Sequence, residues 1–181
     1  MRKLTHAEIK SNRKTIDTVN QFERHPIYGL CDNIRSIFNV GAIFRSSDAA
    51  FISKLYLTGY TPYPPRKEID KVALGATLTV PWEYYKNPID AIDKLKENKI
   101  KICIIELTDS NKTIWDFNKN DFPVCLVVGN EISGVSKEIF DRADLSAEIP
   151  MYGMKQSLNV SVAYGIALYE FLRKLKNKNE S

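Results

Sequence analysis

Four side chains stand where packing alone gives no reason for them. Arg45 lies among Ala42, Ile43, Phe44, Ala49 and Ala50, and a cation in such company needs a partner or a ligand. An ion pair with Asp48 is the plain alternative. Glu131 sits in Gly129-Asn130-Glu131-Ile132-Ser133-Gly134, where two glycines permit close backbone approach on either side of a carboxylate. A solvated loop acid would look the same. Ser157 and Asn159 alternate with Leu158, Val160 and Val162 at the mouth of a long apolar helix. A helix start near Ser157 suits N-cap preference. The unsatisfied N–H groups there suit a ligand carboxylate or oxygen, although a capped core helix is the simpler reading.

Other chemistries are poorly supported. The only histidines, His6 and His25, precede the first expected strand, so histidine catalysis or a histidine metal site is not expected. Neither GxGxxG nor GxxxxGK[ST] occurs, which removes the sequence signatures of Rossmann and P-loop nucleotide sites. Cys31, Cys103 and Cys125 are far apart in apolar settings, neither a zinc pattern nor a disulfide framework, and fit a reducing, cytoplasmic location. No apolar run approaches the roughly 20 residues of a membrane span, and the N-terminus lacks a signal core. With 44% hydrophobic and 27% charged residues, the composition is that of an ordinary globular domain. Net charge is 26 − 22 = +4, which permits nucleic-acid binding without arguing for it. The cations gather at the ends: Lys3, Lys10, Arg13 and Lys14 early, and Arg173, Lys174, Lys176 and Lys178 late. The late run Arg173-Lys174-Leu175-Lys176 reads as a solvated helix end or as a phosphate-contacting tail.

Positioning elements follow from the pattern. Thr5-His6-Ala7-Glu8 is a capping box, and Ile9, Ile16, Val19 and Phe22 follow at roughly helical spacing, so a helix is expected over 7–23. Strands are expected over 27–31, 54–59, 101–107, 122–129 and 145–149, with 79–85 extended and Pro81 at an edge or bend. Helices are expected over 40–51, 69–75, 87–97, 136–142 and 157–175, that beginning at Asn87-Pro88 having proline in its first turn. Alternation of this kind means an α/β domain with a mostly parallel sheet flanked by helices. No linker or repeat divides the 181 residues, so a single domain is expected, with an N-terminal helical extension (1–26), a core (27–175) and a basic tail (176–181). In parallel sheets ligands sit outside the carboxyl ends of the strands, where the loops bearing Glu131 and Asn159 should meet.

Three stretches, taken in order, carry a resemblance. They are Asn39-Val40-Gly41-Ala42-Ile43-Phe44-Arg45, then Gly129 to Gly134, then Ile149-Pro150-Met151 with Gly153 and Ser157-Leu158-Asn159-Val160-Ser161-Val162-Ala163. The set resembles the SpoU (TrmH-type) RNA ribose 2′-O-methyltransferases of the SPOUT class over roughly residues 27–175. Ser46 and Ser47 replace the more usual threonine and alanine after the arginine. The resemblance implies a deep C-terminal trefoil knot, which composition could not show because knots are rare enough to be excluded by default. It also implies S-adenosylmethionine bound bent in the knot, and a homodimer. Carried over residue by residue, the cofactor would meet Leu107, Thr108, Gly129, Asn130, Gly134, Ile149, Met151 and Leu158. Arg45 would lead catalysis, with Asn39, Glu131, Ser157 and Asn159 orienting the hydroxyl and the arginine, and Glu131 as one candidate proton acceptor. No metal is implied. RNA would be the partner, tRNA before rRNA, met by the dimer surface, the basic ends and the loop Tyr60 to Arg66, whose aromatics either stack on bases or simply pack. The competing readings are a knotted module that binds RNA without catalysis, and an unrelated α/β enzyme acting on a small phosphorylated substrate.

Overall fold

The computed structural model describes residues 1–11 and 14–177. Its elements are α1 (His6–Ser11), β1 (His25–Asp32), α2 (Ile37–Ala49), β2 (Ile52–Thr58), α3 (Lys67–Ala73), α4 (Ala76–Thr79), β3 (Trp82–Tyr85), α5 (Pro88–Glu97), β4 (Lys101–Ile105), β5 (Val124–Val128), α6 (Lys137–Phe140), β6 (Leu145–Ala147) and α7 (Val160–Lys176). The strands form one sheet among the described residues, ordered β3-β2-β1-β5-β4-β6, and every neighbouring pair is parallel. All strands therefore end on the same edge, where the polar loops collect.

Strand alternation divides the core into two layers. Val124, Leu126 and Val128 of β5 face α2, α3, α4 and α7 through Ile43, Phe44, Ile69, Leu168 and Phe171. Cys125 and Val127 face α5 and α6 through Ile92, Leu95 and Ile139. Both faces of the central strands are covered, which is why they read as unbroken apolar runs. One close approach depends on a missing side chain. A Cβ at Gly29 of β1 would lie 2.5 Å from the Tyr164 hydroxyl, which instead bonds Ser47 Oγ at 2.8 Å and joins α7 to α2.

Three expectations need correction. Of the helix expected over 7–23, α1 covers the part up to Ser11, residues 12–13 lie outside the described part, and from residue 14 to β1 the described chain has only a 3-10 turn at Val19–Gln21. The capping box does form, with Thr5 N–H donating to Glu8 Oε2 at 2.7 Å and Glu8 N–H to Thr5 Oγ1 at 3.3 Å. The pattern beyond it is no buried stripe, because Ile16 and Phe22 are exposed. Thr15 N–H instead donates to Thr18 Oγ1 at 3.0 Å, the local side-chain bond by which threonine competes with helix. The stretch 79–85 is not uniformly extended: it ends α4, passes Pro81 and becomes β3, an edge strand, where proline is tolerated. The last helix begins at Val160 with Asn159, not Ser157, as its N-cap.

Beyond β6 the chain continues beside the segment that follows β4. Glu148 N–H donates to Lys112 C=O at 2.9 Å, and Ile114 N–H to Glu148 C=O at 3.0 Å. Helix α7 then returns under the sheet, with the Phe171 ring tilted against Phe117, their centroids 4.2 Å apart.

Candidate active site

A cavity of about 380 Å³ opens at the carboxyl edge of the sheet, between the loops after β4, β5 and β6. Its apolar wall comes from Ile105, Val128, Ile149, Leu158 and Val160, and its polar rim includes Glu106, Glu131, Ser157 and Asn159. The loop after β5 can line it closely because of two glycines. A Cβ on Gly129 would sit 2.2 Å from the backbone of Gly134 and Val135, and one on Gly134, at φ +72°, would sit 2.5 Å from Glu106 Oε2.

A single hydrogen-bonded network joins the three sequence stretches at the rim. Glu131 Oε1 accepts from Ser36 N–H at 3.0 Å and from Asn39 Nδ2 at 2.9 Å, while Oε2 accepts from Arg35 N–H at 2.9 Å. Asn39 Oδ1 in turn accepts from Asn159 Nδ2 at 3.1 Å. Asn159 Oδ1 caps α7, accepting from Ser161 N–H at 2.9 Å, Ser161 Oγ at 2.7 Å and Val162 N–H at 3.4 Å. Orientation is forced at both ends. A carboxylate only accepts and the helix mouth only donates, so both asparagines can point one way only. Burial alone would raise the Glu131 carboxyl, but the Arg35, Ser36 and Asn39 donors outweigh it and hold it below its ordinary value.

Of the residues expected to hold a cofactor, Leu107, Gly129, Asn130, Gly134, Ile149, Met151 and Leu158 line the cavity. Thr108 does not. Its hydroxyl lies 3.0 Å from Ser146 Oγ and 2.9 Å from Ser110 Oγ, in a separate smaller hollow of about 250 Å³. Ser157 is exposed on the cavity rim and leaves capping to Asn159. Arg45 is the outlier. It lies on the exposed side of α2, does not line this cavity, and is in line with exposed Phe38 seven residues earlier, on one helix face. The ion pair with Asp48 does not form, since Asp48 Oδ1 accepts from Thr79 Oγ1 at 2.5 Å instead. Glu106 was not expected here. It follows β4 directly, and its carboxylate accepts from Leu107 N–H at 3.2 Å and Val135 N–H at 3.3 Å, bracing two cavity walls. The signal for it was its place at a strand's carboxyl end.

Apolar walls backed by backbone N–H and C=O groups suit a purine ring and a small zwitterion, and a side chain at Gly129 or Gly134 would meet the loop's own backbone or Glu106, so both must stay glycine to keep this wall. Among the described residues no group of histidine, cysteine and acidic side chains could hold a metal ion, and no helix is long and apolar enough to cross a membrane.

Comparison with known proteins agrees with this architecture. The model of the SpoU rRNA methylase family matches residues 26–169. The tRNA (guanosine(18)-2′-O)-methyltransferase of Aquifex aeolicus is 35% identical over 94% of this chain and 80% of its own. The enzyme of that name from Escherichia coli K12 is 32% identical over 85% of this chain and 66% of its own. Among solved structures, the A. aeolicus TrmH/SpoU tRNA modifying enzyme superposes with TM-score 0.77 at 33% identity, covering 88% of this chain and 81% of that one. The AdoMet-bound rRNA methyltransferase of Sinorhizobium meliloti superposes with TM-score 0.79 at 28% identity, covering 88% of this chain and 61% of that one. The chain belongs to the SpoU methylase family, whose members are RNA methyltransferases that use S-adenosylmethionine. It spans four-fifths of the A. aeolicus relative but less than two-thirds of the S. meliloti protein.

Proposed function

We propose that this protein transfers a methyl group from S-adenosylmethionine to a ribose 2′-hydroxyl of a structured tRNA. The observation that carries the reading is the Glu131–Asn39–Asn159 network, which assembles the three family stretches at the mouth of one cavity. The bound cofactor supplies an electrophilic methyl group on a sulfonium. The chain's own residues must align the hydroxyl with it, so that the O–C bond forms as the S–C bond breaks, stabilise the oxyanion and let the hydroxyl proton pass to solvent water. Leu107, Gly129, Ile149 and Leu158 would hold the cofactor. Glu131 is assigned to bracing rather than proton uptake: its lowered pKa makes it a weak base, and three donors already occupy it. A guanidinium does not give up its proton, so Arg45 clamps the adjacent phosphate and stabilises the developing alkoxide.

Arg45 does not line its own chain's cavity; it shares the exposed face of α2 with Phe38, and α7, which packs on α2, exposes Val162, Ile166 and Tyr169. That face supports a homodimer in which Arg45 completes the partner's site. The pairing of Glu148 with residues 112–114, followed by the return of α7 beneath Phe117, supports a trefoil knot in which the C-terminal chain threads the segment after β4. The preference for tRNA rests on the A. aeolicus and E. coli relatives, whose names make guanosine 18 the first nucleotide to look for. The S. meliloti neighbour keeps rRNA as the second reading.

Labelled methyl transfer into separated, undermethylated tRNA and rRNA tests this, with wild type and Arg45→Ala in parallel. Label is expected in tRNA with wild type only, and transfer by Arg45→Ala should fall at least about a hundredfold with cofactor binding intact. No transfer to either RNA by wild-type protein that binds the cofactor would refute the assignment.

A further inference from the structure

Two tyrosines occupy the loop between β2 and α3, and the structure separates their roles. Tyr63 stacks on Tyr84 with ring centroids 4.2 Å apart, and the Tyr84 hydroxyl donates to Gly59 C=O at 2.7 Å. Tyr63 is packing. Tyr60 is 61% exposed, yet it is pinned at both ends. Its backbone N–H donates to Asn33 Oδ1 at 3.2 Å, and its hydroxyl accepts from Asn130 Nδ2 at 2.7 Å.

Asn130 cannot turn away from the ring. Its Oδ1 accepts from Ile132 N–H at 2.9 Å, Ser133 N–H at 3.0 Å and Ser133 Oγ at 3.1 Å, so Nδ2 must face Tyr60 and Asn33 C=O. The loop is held on both sides of the ring: Gly59 N–H donates to Tyr85 C=O at 3.1 Å, Thr61 N–H to Thr58 C=O at 3.2 Å, and the buried Thr61 hydroxyl to Cys31 C=O at 3.1 Å. The result is a rigid aromatic face turned to solvent, tied through its tip to the residue beside Glu131. Two arginines belong to the segments that hold it: Arg35, two residues after Asn33 and with its backbone N–H on Glu131, and Arg66, where the loop enters α3. Both side chains are exposed.

Burial does not account for a ring fixed in this way, because most of it stays wet. A second ring laid on it would. Accepting the RNA methyltransferase reading above, we propose that Tyr60 is a stacking platform for an unpaired base next to the methylated ribose, with Arg35 receiving the neighbouring phosphate. Bases inside a continuous A-form helix already have both faces covered, whereas loops and bulges offer free faces to aromatic side chains and arginine planes. The substrate class narrows accordingly to RNA whose target nucleotide lies in a loop, bulge or splayed end.

The test compares Tyr60→Leu and Tyr60→Phe with wild type, on unmodified tRNA transcripts. Losing one base–aromatic stack should raise the KM for RNA in Tyr60→Leu about tenfold, with S-adenosylmethionine affinity and thermal midpoint matching those of Tyr60→Phe, which loses the same hydroxyl bond to Asn130. Tyr60→Phe keeps the ring face and should stay within about threefold of wild type. The proposal is overturned if Tyr60→Leu matches wild type. It is also overturned if Tyr60→Phe fails as badly as Tyr60→Leu, since the tyrosine would then act through its bond to Asn130. Should wild type transfer no methyl to any RNA, the enzymatic reading fails separately. Direct RNA binding by wild type and Tyr60→Leu then decides the platform: about tenfold weaker binding by the variant supports it, and equal or absent binding overturns it.

Discussion

Gly129→Ala gives a sharp check on the cavity. The new methyl group would lie 2.2 Å from Gly134 C and Val135 N, where ordinary contact begins near 3.4 Å, so the 130–135 turn must retreat by about 1 Å. That turn is closed by Asn130 N–H to Gly134 C=O at 3.0 Å and Gly134 N–H to Asn130 C=O at 2.9 Å. It is also anchored at Ser136, whose N–H donates to buried Asp32 Oδ2 at 2.6 Å. Overpacking of this kind costs about 1–3 kcal/mol, equivalent to roughly 2–10 °C in Tm for a chain of this size. Cofactor binding should lose a comparable amount. A backbone wall displaced by an ångström forfeits one or two hydrogen bonds, worth about 1–3 kcal/mol, and so about tenfold to a hundredfold in affinity. Titration calorimetry with S-adenosylmethionine and thermal unfolding read the two effects on one sample. A variant that binds within twofold of wild type and melts at the same temperature would mean that the turn does not shape the cofactor's wall.

Three further outcomes are expected. Asn159→Ala removes the α7 cap, at about 1 kcal/mol of stability, and cuts the link to Asn39, so methyl transfer should fall well beyond what the Tm change explains. If Arg45 serves the partner's site, co-refolding Arg45→Ala with Asn159→Ala should restore about a quarter of wild-type activity, since half of the dimers would be mixed and each of these has one intact site; failure to restore any would place Arg45 in its own chain's site. Acid unfolding should depend on Glu83. Burial alone would raise its carboxyl, but bonds from Lys54 Nζ at 2.6 Å, Lys94 Nζ at 2.7 Å and Tyr85 Oη at 2.8 Å bring it from 4.5 to about 2. A depressed value contributes stability above the unfolded pKa and loses it as pH falls through the folded one. Wild type should therefore lose stability between pH 4.5 and about 2 more steeply than Glu83→Gln, as measured by urea titration at stepped pH.

Regular elements were legible wherever one physical signal dominated. Strands β1, β4 and β5 announce themselves because both faces are buried and no polar residue interrupts their middles. Helix α5 is marked at its start by Asn87 and Pro88, and the Asn87 side chain does cap it, accepting from Ile89 N–H at 3.2 Å. The misreadings occurred where two signals competed locally. Of the helically spaced Ile9, Ile16, Val19 and Phe22 only Val19 is buried, and Thr15 and Thr18 bond each other instead. Ser157 and Asn159 are both good caps, and only the tertiary contact from Asn39 to Asn159 settles which one is used. Strand order was not readable at all, because parallel pairing joins residues as distant as Gly29 and Leu126 and leaves no local trace.

The site shows the same division at the level of chemistry. Its residue types could be picked out singly, as a cation among small apolar residues, an acid between glycines and polar groups at a helix mouth. What spacing could not supply is polarity: which atom gives and which accepts across segments up to 120 residues apart. The two fixed ends decide this. Glu131 can only accept and the α7 mouth can only donate, so the two asparagines between them transmit one orientation across the rim. Replacing either by aspartate would set two acceptors face to face, whereas a merely space-filling role would tolerate that change. Arg45 is outside this chain of donors and acceptors and does not line the cavity of its own chain, as the phosphate clamp proposed for it requires.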